Sequence, residues 1–273
     1  MLRMESETGW WLITHPDHAR LAGEFAAAWG NAQFLKPEPR ARVLMGIARH
    51  DDGWAQRDAH PSVTRQGKPS AFSTELVGKY SAFEEIDLEE YLSVRGRAVR
   101  IVAEEDPYAG LLISMHTHNL LTAHADRSTI APQGLRLLDS FLASQRTYQE
   151  KLRAAIVADD SLAVREKTEE AILEHFRLLQ ACDNLSLLTC VAFESPAHLL
   201  HPMALNGGGA SEVKVISVAP RCFQLEPWPF AKREMQFGFP ARHVAGKLFT
   251  DSASLESAFH AAAVEELTVT LSG

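Results

Sequence analysis

Five polar side chains stand where the local pattern calls for apolar ones: His18, His50, Asp51, His116 and Asp183. Asp183 lies on a stripe with Ile172, Phe176, Leu179 and Leu187, at the three-and-four spacing of one buried helix face. An ionised carboxylate among such neighbours is costly unless a cation or hydrogen bonds compensate it. His116 continues the stripe of Tyr108, Leu112 and Met115. His18 opens the apolar face of Leu21, Ala22, Phe25 and Trp29, and His50–Asp51 end a helix whose earlier turns carry Val43, Leu44 and Ile47.

One histidine on an apolar face is ordinarily a satisfied core side chain, and one buried aspartate is as readily bonded to backbone or to an arginine. Four helices that each turn an imidazole or a carboxylate inward form a ligand set for a divalent transition ion, one of Fe, Mn, Zn, Co or Ni. Such an ion lowers the pKa of bound water and polarises a phosphoryl oxygen. His116 is a candidate both as ligand and as catalytic group. Asp52, next in the chain, is the candidate outer carboxylate or base, a solvated carboxylate at a helix end being the ordinary alternative.

The elements that must position these groups follow from the pattern. GWWLIT reads as a strand, Asp17 as the N-cap of a helix beginning at His18, and ARVLMGIARHDDG as a second helix. Trp54 to about Ser73 is a turn-rich loop, long enough to be functional and placed to roof the site, with Arg57, Lys68 and Lys79 as undistinguished anion binders. Helical patterning resumes over about Glu84–Glu104, from Pro107, from Pro132 to about Val157, and over about Ser161–Val191. Then VKVISVA, CFQLEPW, MQFGFP, ARHVAG and LTVTL are short runs between turn residues, the mark of an antiparallel sheet. The expected organisation is a helical metal-binding domain over 1–200 and a β-rich extension over 201–273 packed on it, with the opening strand free to join that sheet. His198, His201, His243 and His260 fall outside the helical body and read as non-ligands, and Gly207–Gly209 lacks the GK[ST] of a phosphate loop.

Hydrophobic residues at 46% and charged ones at 23% of 273 residues describe a globular chain with a sizeable core. A net charge of −8 excludes the footprint of a nucleic-acid binder, yet not a small anionic substrate, since a bound cation dominates its local field. Cys182, Cys190 and Cys222 show no CxxC spacing and read as reduced thiols. With no signal-like N-terminus and no long apolar run, the expectation is a cytoplasmic protein without membrane partners, homo-oligomerisation being open.

The order His18, then RHDDGW at His50–Asp51, then ACDNLS at Asp183 resembles the HD-domain superfamily of metal-dependent phosphohydrolases over about residues 10–193. Gly53 matches the glycine of that superfamily's HDxG. A narrower likeness is to bacterial proteins of an uncharacterised domain family sharing an HPDHARLAG-like block followed by HDDGW, which carries no activity. The superfamily resemblance implies a mainly α fold, an HD-like helical bundle here with a small C-terminal antiparallel sheet. It also implies one or two divalent metals on an H…HD…D set and hydrolysis of a small phosphate ester or nucleotide. Asp52 departs from it, standing where the superfamily commonly has a hydrophobe. Two alternatives remain. One is a di-iron oxygenase of the same scaffold, which adds two histidines, here His116 with His118, His124 or His175. The other is a non-catalytic metal- or ligand-binding protein.

Overall fold

The computed structural model describes residues 1–77, 87–124 and 126–273, with His124 described in its backbone alone. Lys79, the expected helical start at Glu84 and the side chain of His124 therefore lie outside the described residues. Strands β1 (Leu2–Glu5) and β2 (Gly9–Ile13) precede helices α1 (His15–Ala28) and α2 (Arg40–Ala48). A 3-10 turn (Asp52–Trp54) and the short α3 (Ala55–Asp58) follow. Then come α4 (Leu88–Glu105), α5 (Pro107–Asn119), α6 (Pro132–Ala158) and α7 (Glu169–Cys190). The chain continues with β3 (Ala197–His198), β4 (Met203–Ala204), β5 (Ala210–Ser211), β6 (Lys214–Ala219) and β7 (Cys222–Glu226). It ends with β8 (Glu234–Ala245), α8 (Ser252–Ala261) and β9 (Val264–Ser272).

The expectation of a mainly helical bundle with a small antiparallel sheet is overturned. The structure is 51% helix and 21% strand, with a curled, mixed sheet of seven strands in the order β1-β2-β8-β9-β7-β6-β3. β7 and β9 pair in parallel; the other neighbours are antiparallel. Two features hid its size. MQFGFP and ARHVAG, read as separate runs broken at Pro240, are one strand of twelve residues. Pro240 fits there because β2 pairs only with Arg242–Ala245, so at Pro240 β8 has β9 alone beside it. The sheet also draws on both ends of the chain, since β2 pairs with β8.

Alternation along the strands sorts their side chains into two layers. Phe237, Phe239 and Ala241 of β8 and Leu267, Val269 and Leu271 of β9 share a core with Phe25 of α1, Trp29 just after it, and Leu185 and Leu188 of α7. Trp10 and Leu12 of β2 and Val244 point the other way, onto Leu255 and Phe259 of α8. Each large apolar side chain so buried contributes roughly 1.5–3 kcal/mol.

Helix α1 starts earlier than expected. Thr14, not Asp17, is the N-cap, its hydroxyl accepting from Asp17 N at 3.2 Å. Pro16 occupies the first turn, where a missing N–H costs nothing. His15 and His18 thereby share that turn. Two glycines permit the close approaches that follow. A Cβ on Gly23 would lie 2.5 Å from Ala48 Cβ, so α1 and α2 nearly touch. A Cβ on Gly53 would lie 2.1 Å from Val94 O, so the turn after His50–Asp51 docks directly on α4. Among the described residues no helix is long and apolar enough to cross a membrane, and all three cysteines are free thiols.

Candidate metal centre

Three helices and one helix-ending turn converge on a buried cluster. His18 comes from α1, His50 and Asp51 from the chain leaving α2, His116 from α5 and Asp183 from α7. Among the described residues two groups could hold an ion: His18, His50 and Asp51, and His50, His116 and Asp183. All five are buried, Asp183 the most exposed of them at 7%.

Hydrogen bonds behind the rings set their tautomers. His50 Nδ1 donates to Ile47 O at 2.7 Å, using a carbonyl that the end of α2 leaves free. Ser186 Oγ donates to Asp183 O at 2.8 Å, so its oxygen accepts from His18 Nδ1 at 2.9 Å. In their neutral forms both imidazoles therefore turn a bare Nε2 toward the carboxylates. His18 Nε2 lies 3.1 Å from Asp51 Oδ2. His50 Nε2 lies 3.2 Å from Asp183 Oδ1 and 4.0 Å from Asp51 Oδ2, off line for a hydrogen bond to either. A lone pair facing a carboxylate oxygen is repulsive, so a proton or a cation belongs between them. Bonds of about 2.1 Å give ligand–ligand edges of roughly 3.0–3.4 Å in octahedral and tetrahedral sites, close to the shorter of these separations.

The charges agree. Burial works against ionising Asp183, but His50, His116 and His18 outweigh it and hold its carboxyl at about 2. Burial likewise opposes charge on Asp51, and the Arg95 guanidinium with His50 overcomes it, keeping that carboxylate well below its usual range. His50 is buried too, yet Asp51 and Asp183 raise it to about 9, so without a cation it takes up a proton. Burial keeps His116 neutral, at about 3; its Nε2 stands 3.7 Å from Asp183 Oδ2 and its Nδ1 has no described partner.

Arg95 of α4 is the part that sequence reasoning missed. Its Nη1 donates to Asp51 Oδ1, leaving Oδ2 for the cluster. Its guanidinium lies over Trp54 and Tyr91, 5.3 Å from each ring centroid, a geometry attractive to a cation. The signal was available, since Arg95 interrupts the stripe Tyr91, Ala98, Val102 just as Asp183 interrupts its own. Ser186 and the His15–Asp58 pair, 3.0 Å apart behind His18 with Asp58 buried, were also missed. No pattern marked them.

Other expected participants lie elsewhere. Asp52 belongs to neither group: its Oδ2 accepts from Arg49 Nε at 2.7 Å, and Arg49 also holds Glu105. The helix end turns that carboxylate to the surface while Asp51 turns in, as adjacent residues about 100° apart must. Trp54 is buried between Arg95 and His15, on which it stacks at 4.2 Å, and so packs under the centre. Arg57 pairs with Glu90 and Lys68 with Glu75. His118 is outside the cluster, and His175 bonds Tyr108. His243 bonds Ser6, His198 pairs with Glu212, His260 bonds Ala59 O, and His201 bonds Gln180.

A family model described as "Protein of unknown function (DUF3891)" matches residues 1–246. No curated protein and no solved structure matches the chain.

Proposed function

We propose, from the premise that the chain belongs to the DUF3891 family, that it is a metal-dependent hydrolase of small phosphate esters. One divalent transition ion would be held by His18, His50, Asp51 and Asp183, with His116 alongside. The observation that carries the reading is the pair of Nε2 atoms, each facing a carboxylate oxygen because Ile47 O and Ser186 engage the Nδ1 of its ring. The order H…HD…D and its resemblance to the HD-domain phosphohydrolases add the reaction class.

The donor count favours one ion. Both groups include His50, and its Nδ1 is spent on Ile47 O. A single Nε2 serves a single ion, which weighs against the two irons of an oxygenase. With Asp51, Asp183 and Arg95 the centre carries −1 when its imidazoles are neutral, and a dication brings it to +1. That sign suits an anionic ester. The ion would supply an activated water and polarise the phosphoryl oxygen. Arg95 offsets part of the substrate's charge and orients Asp51; neutral His116 accepts or passes a proton beside Asp183. The residual exposure lies at Asp183 and Arg95, at 7% and 8%, so a substrate approaches from that side.

Elemental analysis of protein purified without chelator, joined to assays of mono- and diester phosphates with Mn, Fe, Co, Ni or Zn, tests this. The expected result is one bound ion and metal-dependent phosphate release, both lost in Asp183→Ala. Absence of metal and of any uptake overturns the metal site. Bound metal with no hydrolysis of any ester overturns the hydrolase and leaves a binding protein.

A further inference from the structure

A cleft of about 300 Å³ lies apart from the metal centre, between the α1–α2 connection, the first half of α7 and the β4–β5 hairpin. His175 lines it, bonded to Tyr108 behind, and these two residues lie on the same helices as Asp183 and His116. Each member of the first pair precedes its counterpart by eight residues on the same helix, α7 or α5, about 12 Å at 1.5 Å per residue. Tyr108 is wholly buried, and its hydroxyl has one partner among the described residues, His175 Nδ1 at 2.8 Å. A buried hydroxyl with one partner donates to it, which puts the imidazole proton on Nε2. Burial keeps this ring neutral, with its pKa lowered to about 4. His175 is 5% exposed and lines the cleft, and its Nε2 has no partner among the described residues.

Around that donor the lining is charged in balance. Lys36 and Arg177 offer cations, and neither forms an ion pair among the described residues; Glu170 and Glu174 offer carboxylates. Leu35, Leu178 and Met203 supply apolar wall. A cleft with two positive groups, two negative groups and a neutral donor suits a ligand that is itself balanced.

We propose that this cleft is a second, non-metal binding site for a small zwitterion with an apolar body, the chemistry of a free apolar amino acid. Its carboxylate meets His175 Nε2–H and the two cations, its ammonium meets Glu170 and Glu174, and its side chain lies against Leu178 and Met203.

Calorimetric titration of the full chain with leucine and phenylalanine tests it, with 4-methylpentanoate and isopentylamine as half-ligands. Free amino acid is expected to bind, each half-ligand about tenfold or more weaker. Arg177→Gln should weaken leucine by a similar factor, and Ala210→Trp, at an exposed lining position, should abolish binding; bound metal should not change in either. Because His175→Ala strips Tyr108 of its partner, the Arg177 and Ala210 variants are the deciding ones. No binding at millimolar leucine or phenylalanine, a half-ligand binding as tightly as leucine, or an Ala210→Trp variant that still binds would each overturn the proposal.

Discussion

Replacing Asp183 with Asn keeps the shape of the side chain and removes its charge. Its carboxylate lies 3.2 Å from His50 Nε2, 3.7 Å from His116 Nε2 and 3.8 Å from His18 Nδ1, so among the described residues no other carboxylate stands near all three rings. For a dication about 2.1 Å from a carboxylate oxygen, even a water-like dielectric gives an attraction of about 4 kcal/mol. That is nearly a thousandfold in affinity, and burial makes it a lower bound. In the metal-free state the amide no longer needs a counter-charge in a desolvated place, and the fold loses only Asp183's share of the hold on the His50 proton, which Asp51 keeps in part. The assay is a pair of melting curves, with and without Mn or Zn, together with competition against a chromophoric chelator. Saturation to about a hundred times Kd adds about 2.7 kcal/mol, a rise of about 5–10 °C for a chain this size. The variant should lose that rise while its metal-free melting stays within a few degrees of the parent. An Asn variant that binds within tenfold of the parent would refute the reasoning and remove Asp183 from the ligand set.

Three further outcomes follow from the same geometry. Ser186→Ala frees His18 Nδ1 from its acceptor and should weaken metal binding about 10–100-fold, read by the same competition; unchanged affinity would show that the hydroxyl does not hold the ring. Gly53→Ala should cost more than about 2 kcal/mol in urea unfolding, because the added Cβ would sit 2.1 Å from Val94 O; a loss below about 0.5 kcal/mol would mean the turn has slack. Finally, His50 is raised from 6.5 to about 9 without a cation, so its contribution to metal-free stability is full below 6.5 and is lost as pH rises through about 9. Metal must displace that proton, so affinity should climb about tenfold per pH unit and level off near pH 9. Calorimetry in buffers of different ionisation heat reads the released proton, and none at pH 7.5 would contradict the assignment.

The buried His and Asp cluster was legible because a helix reports its faces. Asp183 among Ile172, Phe176 and Leu179, and His116 after Tyr108 and Leu112, are violations of a period that holds for several turns. Arg95 obeys the same logic and was there to be read. What the period cannot report is direction at a helix end. Asp51 and Asp52 are neighbours in HDDG, and only the docking of Gly53 on α4 decides that the first turns inward and the second meets Arg49. The sheet was misjudged for a different reason. Strand signals are local, whereas the order β2-β8-β9-β7 joins segments from opposite ends of the chain and includes a parallel pair that no hairpin links. Gly238 and Pro240 look like breaks until β9 is in place beside them.

Arg95 also bears on what the ion would be for. Two carboxylates and three imidazoles with no cation are the arrangement that burial penalises most. Here Arg95 neutralises one carboxylate permanently, and the proton drawn to His50 balances the other. Arg95 and the His50 imidazolium thus offset the two carboxylates in the metal-free centre. Its apolar surroundings do not depend on the ligands either, since Phe25, Leu185 and Leu188 pack on Phe237 and Phe239 of the sheet. A centre whose carboxylates are offset without an ion, in a core that packs without one, would have no structural need of a metal. Binding and releasing an ion there would cost the fold little, which is the behaviour expected of a working site and the opposite of a zinc staple.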